Sequence, residues 1–150
     1  VNGRNPIISH EYLGTDPAGM DVIIVDDIIS SGDSLIEVAQ QIKAKGAKRI
    51  FAFVTFGLFT DGIEKINRAY QIGLIDKIFT TNLVYRTPEL LAAPWYCEVN
   101  MCKYVAYIID TLNHDGSISN LLNPVQRIHN LVERHMSSIE GSQMTMKFEP

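Results

Sequence analysis

The chain is poor in residues that announce a chemistry by themselves. It has two cysteines in 150 residues, Cys97 and Cys102. They form no C-x-x-C pair and stand near no second pair or matched histidine set. That pattern excludes a disulfide scaffold and a structural zinc site, and free thiols in a cytoplasmic protein are the expectation. The four histidines, His10, His114, His129 and His135, make no H-E-x-x-H or related metal spacing. No apolar run reaches the roughly 18 residues of a spanning helix, and no signal peptide is visible, so no membrane partner is expected. Basic residues number 13 against 17 acidic ones, a net charge of −4. That balance argues against nucleic-acid and membrane-surface binding. The phosphate-loop pattern G-x-x-x-x-G-K-[ST] is absent, which excludes a P-loop kinase. There is no internal repeat and no low-complexity tract. What remains is an ordinary composition, 46% hydrophobic, in a chain of single-domain length that can bury a real core. It opens on Val1 rather than Met, which suggests a piece of something longer.

Against this background the segment from Val22 to Leu35, VIIVDDIISSGDSL, stands out. Val22, Ile23, Ile24 and Val25 are β-branched and read as a buried parallel strand. Ligands of open α/β sheets collect at the C-terminal ends of such strands. There the chain places Asp26 and Asp27, then the turn Ser30-Ser31-Gly32-Asp33-Ser34, then a helical pattern. The turn offers backbone N–H groups and hydroxyls, and the helix adds the positive end of its dipole, so one anion is the natural guest. The two acids suit sugar hydroxyls or a hydrated Mg²⁺. Together these describe a site for a phosphorylated ribose. A strand running into a capped helix is the plainer alternative, but one capping oxygen suffices for that.

Strand and helix signals alternate along the rest of the chain. Ile7–Tyr12 reads as a first strand, followed by the turn Thr15-Asp16-Pro17-Ala18-Gly19. Asp21–Val25 is the buried strand. Leu35, Val38, Ala39 and Ile42 fall at helical spacing and Gly46 closes that helix. Arg49–Thr55 and Lys77–Thr81 are strands on either side of a helix marked by Ile63, Ile66 and Tyr70 and ended by Gly73. Pro88 opens a single helical turn, and Trp95–Val99 is a further strand. Met101, Tyr104, Val105, Ile108, Ile109 and Leu112 line one helix face, expected to pack in the core. Pro124–Met136 reads as an amphipathic helix, and 137–150 looks weakly ordered or dependent on a partner. Such alternation implies βαβ crossovers: an α/β fold, mainly a parallel sheet flanked by helices.

The Val22–Leu35 segment resembles the ribose-phosphate motif of the type I phosphoribosyltransferase fold. Three further segments narrow the resemblance: Thr55-Phe56-Gly57-Leu58-Phe59, Thr80-Thr81-Asn82-Leu83 and Asn113-His114-Asp115-Gly116-Ser117-Ile118-Ser119. In this order and spacing the chain, over roughly residues 1–128, is similar to the C-terminal half of the ribose-phosphate diphosphokinases, also called phosphoribosyl pyrophosphate synthetases. The resemblance implies a phosphoribosyltransferase-like domain over 1–123. It also implies a helix and tail over 124–150 that pack on an N-terminal half. The implied reaction transfers diphosphate from ATP to ribose 5-phosphate, with Mg²⁺ as cofactor, for nucleotide biosynthesis. By the same resemblance Asp26 and Asp27 contact the ribose and the metal, and Ser30, Ser31, Gly32, Asp33 and Ser34 hold the 5-phosphate. ATP is held mainly through the other half. A homo-oligomer is implied, a hexamer in the full-length family.

The chain departs from that family at Ser30, where many members carry Asp, and at Phe56, where many carry His. A serine donates to phosphate but accepts no proton as a carboxylate does. Asp33 puts a negative charge inside a phosphate loop, pointing to solvent or capping the helix. Lys43, Lys45, Lys48 and Arg49 fall at the far end of the helix that starts at the loop, leaving Arg4 as the nearby basic residue in sequence. The fragment is therefore expected to bind the sugar phosphate and to be inactive alone. Two alternatives stand beside it: a self-contained phosphoribosyltransferase, and a non-catalytic regulatory homologue of the synthetase.

Overall fold

The computed structural model describes residues 15–119 and 123–145. The chain divides into two compact units, Val1–Met101 and Cys102–Pro150. The first holds a four-stranded sheet of β1 (Asp21–Ile29), β2 (Arg49–Gly57), β3 (Lys77–Thr81) and β4 (Tyr96–Val99), in the spatial order β1-β2-β3-β4. Each neighbouring pair is parallel. Parallel neighbours need a crossover. These are α1 (Asp33–Ala44), α2 (Glu64–Gln71) and the single-turn α3 (Pro88–Ala92). The sequence-derived α/β fold with a parallel sheet is the fold that forms.

Side chains two apart on a strand share a face. Ile50, Ala52 and Val54 of β2, Ile78 and Thr80 of β3 and Tyr96 of β4 are buried together on one face. They join a core with Leu35, Ala39 and Ile42 of α1 and with Ile66 and Ala69 of α2. Both helices end in the same way. The N–H of Gly46 donates to Lys43 and that of Ala47 to Ile42, while Gly73 donates to Tyr70 and Leu74 to Ala69. These are Schellman closures, and they turn each chain end toward its next strand. At α3 the Thr87 hydroxyl accepts the Leu90 N–H at 3.2 Å, with Pro88 beginning the turn.

The structure corrects three expectations. β1 is not a buried strand: Ile23 is 61% and Val25 78% exposed. Its register continues across Val25, Phe53 and Phe79, where the two phenylalanines stack at 4.5 Å. Helices α1 and α2 bury only the opposite face, and β1 stands at one end of the described sheet. β1 is also longer than its four-residue apolar run, continuing through both aspartates to Ile29.

The second correction lies in the second unit. It contains α4 (Cys102–Asn113) and α5 (Val125–Thr145). The apolar stripe of α4 is not core: no residue of that helix is buried, and Ile109 and Leu112 are exposed. The third concerns α5, which continues beyond Met136 to Thr145. The Ser137 hydroxyl donates to the Glu133 carbonyl and is satisfied within the helix. The strand expected at Ile7–Tyr12 lies outside the described residues.

Candidate anion site at the end of strand β1

The C-terminal end of β1 delivers Asp26 and Asp27 to the rim of the sheet, and Ser30 to Gly32 turn the chain into α1. Gly32 is the N-cap, at φ 85° and ψ −2°. The left-handed conformation suits glycine, and space demands it as well. A Cβ there would lie 3.0 Å from Cδ1 of Ile66, the α2 side chain packed beneath the turn. The carbonyl of Gly32 accepts the Ile36 N–H at 3.0 Å. Asp33, Ser34 and Leu35 therefore form the first helical turn, whose N–H groups have no carbonyl partner within the helix.

The segment after β2 braces this turn. The Leu58 N–H donates to the Ile29 carbonyl at 2.8 Å, and the Thr60 N–H donates to the Ser30 carbonyl at 3.0 Å. The hydroxyls of Ser30 and Thr60 are 3.3 Å apart. Gly57 makes the approach possible, since a Cβ there would lie 2.8 Å from both Phe59 and Thr80. The Thr-Thr-Asn segment ties strand ends together. Thr81 donates its hydroxyl to the Thr55 carbonyl, and the Asn82 side chain accepts the Met101 N–H at 2.8 Å.

A cavity of about 260 Å³ opens at the turn, lined by Asp26, Ile28, Ile29, Ser30, Ser31, Gly32, Ser34 and Leu35. Five of these positions are strand end or helix start and three are the turn between them, so the cavity offers backbone N–H groups, hydroxyls and one carboxylate together. Asp27 and Asp33, the other two sequence-derived candidates, do not line it. Asp27 alternates to the other side of the strand, and its N–H donates to Asp26 Oδ1 at 2.9 Å. Asp33 turns aside. It accepts Lys65 Nζ at 2.9 and 3.1 Å. It also accepts a hydrogen bond from the Ser31 hydroxyl at 2.9 Å.

Lys65, near the start of α2, also reaches Asp61 at 3.3 Å. The hydrogen bond to Asp33 is the main reason its ammonium is held above the ordinary lysine range. Lys65 is the cation that sequence reasoning missed, for it stands 32 positions from Asp33. The signals available were the Asp61–Lys65 spacing of one helical turn and the odd acid inside the turn. Thr60 was missed for the same reason of distance. Lys43 and Arg49 are indeed elsewhere, Lys43 donating to the Lys48 carbonyl and Arg49 to Asp21 near the other end of the sheet. Arg4 lies outside the described residues.

Among the described residues no group of three or more His, Cys, Asp or Glu is close enough to hold a metal ion. Asp26 offers one carboxylate at the cavity, Asp27 standing on the other side of the strand. That is the protein share of a Mg²⁺ site in which water and substrate oxygens complete the shell, so the residues fit a substrate-borne ion and not a protein cage.

A parallel α/β sheet with an anion-competent turn at the C-terminal end of a strand defines the class of this domain. Comparison with known proteins gives its family. Residues 10–123 match the model of the phosphoribosyl synthetase-associated domain, and the chain belongs to that family. It is 29% identical over 108 residues to a ribose-phosphate pyrophosphokinase of Vibrio cholerae, covering 72% of this chain and 33% of that protein. For the enzyme of the same name from Shewanella oneidensis the identity is 32% over 109 residues, with the same coverage. The Thermococcus kodakarensis enzyme shares 39% over 73 residues, 48% of this chain and 24% of its own length. The chain thus spans a third or less of these relatives. Among solved structures, phosphoribosylpyrophosphate synthetase from Mycobacterium smegmatis superposes with a TM-score of 0.59 at 20% identity, over 69% of this chain and 33% of that one. That likeness concerns the fold. No helix among the described residues is long and apolar enough to cross a membrane.

Proposed function

We propose that this chain is the ribose 5-phosphate-binding part of a ribose-phosphate diphosphokinase. In this reading Ser30, Ser31, Gly32 and Ser34 and the first-turn amides of α1 take the 5-phosphate. Asp26 faces the ribose hydroxyls and contributes its carboxylate to a Mg²⁺ that neutralises phosphate charge, while Asp27 stands on the other side of the strand. ATP and most of the cationic machinery come from the rest of the longer enzyme. Residues 1–123 act as one functional domain, and 124–150 meet the remaining half; the family match ending at residue 123 supports that boundary. The oligomer, the cytoplasmic location and the lack of activity in isolation belong to the same proposal.

The observation that carries the reading is the cavity at the β1–α1 turn. It brings a carboxylate, three serines and the amino end of a helix to one place, the chemistry a sugar phosphate requires. The test is titration of the purified chain with ribose 5-phosphate, followed by amide NMR. Shifts concentrated at Ser30–Leu35 are expected. Shifts that gather elsewhere, with these amides unmoved at millimolar ligand, refute the assignment.

A further inference from the structure

Asp33 presents a difficulty for any anion that enters this turn. It is the first residue of α1, beside the very amides that an incoming phosphate would use. A carboxylate at that position repels a phosphate. It is also attracted to the helix amino end itself, so an unrestrained Asp33 would compete for the same donors. The structure holds it off. Two Lys65 contacts, at 2.9 and 3.1 Å, and the Ser31 hydroxyl at 2.9 Å fasten both carboxylate oxygens, and Asp33 does not line the cavity. Asp61, at 3.3 Å, fixes Lys65 in turn.

We infer that Lys65 is a positioning residue for the anion site: by binding Asp33 it keeps that carboxylate from occupying or repelling ligand at the first turn of α1. The inference rests on the phosphate reading of the cavity and adds to it a residue on another element that sets the affinity for anions. The device is electrostatic and steric together. The ammonium cancels the carboxylate charge close to the ligand, and the salt bridge fixes where the carboxylate points. Ser31 takes part through its hydroxyl, whose proton is committed to Asp33, so its contribution to the ligand is the backbone N–H.

Inorganic phosphate and ribose 5-phosphate are the probes, with binding read from the amide shifts of Ser34 and Leu35 at low ionic strength in the 150-residue chain. Lys65→Met should weaken phosphate binding about tenfold, the order expected for one uncompensated charge several ångströms away at the surface. Adding Asp33→Asn to Lys65→Met should restore affinity to within about twofold of the parent, because removal of the carboxylate removes the need for the lysine. Lys65→Arg should also retain it. A purely structural role for Lys65 predicts instead that the double variant binds no better than Lys65→Met, and that outcome overturns the inference. Parent binding with Lys65→Met unchanged overturns it too, while leaving the phosphate reading intact. Failure of the parent chain to bind either probe at these amides overturns both.

Discussion

Gly32 is where backbone conformation, packing and ligand chemistry meet in one residue. Its φ of 85° and its 3.0 Å clearance to Ile66 for an added Cβ make alanine costly twice over. A left-handed residue with a Cβ costs roughly 1–2 kcal/mol, and Ile66, fully buried, has little room to retreat. Gly32→Ala should therefore lower unfolding stability by at least about 1 kcal/mol in urea titration and should weaken phosphate binding at the same time. An unchanged midpoint would show that the turn relaxes into another conformation. Thr80 tests the core beneath. Its side chain is 1% exposed and its hydroxyl lies 2.9 Å from that of Tyr96. Thr80→Val keeps the shape but strands the Tyr96 hydroxyl, at about 1–3 kcal/mol. Combining it with Tyr96→Phe should cost less than the two single changes added together, since both partners are then gone. Strict additivity in chemical denaturation would mean that the two hydroxyls do not bond.

At the scale of elements, the parts legible in the sequence were those with local causes. Turn glycines at 46 and 73, Thr87 with Pro88, and the helical spacing of Leu35, Ala39 and Ile42 each specify a structure within a few residues, and β3 forms over Lys77–Thr81 as its pattern indicates. The turn at the end of β1 was equally legible, because strand, acids, small residues and helix follow one another without interruption. What was not legible depends on distant partners. The sequence of β1 reads as buried because four β-branched residues in a row suit two covered faces, whereas burial is decided by which helices cross the sheet and on which side. The pointing direction of Asp27 follows from strand alternation once β1 is known to continue past Val25. The pairing of Asp33 with Lys65 needs α2 to be placed beside α1, and no local pattern encodes that. The α4 stripe has core composition, yet the described structure leaves it half-exposed; composition records what a face is suited for and does not say what covers it.

In the whole molecule the proposed chemistry lies where β1 ends at the rim of the sheet. β1 spans eight steps from Asp21 to Ile29, about 26 Å at the usual rise per strand residue. Arg49, paired with Asp21, is separated from the anion turn by that distance. Lys65, beside the turn, is engaged by Asp33 and Asp61, and Arg86 lies 3.0 Å from Glu98. Diphosphate transfer asks for two phosphorylated substrates held in line, with positive charge over the migrating group. In the proposed reading the described residues hold the acceptor, these cations are engaged by carboxylates, and the donor and its clamp are supplied by other residues of the enzyme. The purified 150-residue chain should then bind ribose 5-phosphate yet form no AMP from ATP and ribose 5-phosphate in the presence of Mg²⁺. The measurement is AMP release dependent on the sugar phosphate, run beside a full-length relative. Turnover within about tenfold of that relative, a difference of only about 1.4 kcal/mol in barrier, would mean that an ATP site and its cationic clamp lie within this chain, and that the division of labour proposed above is wrong.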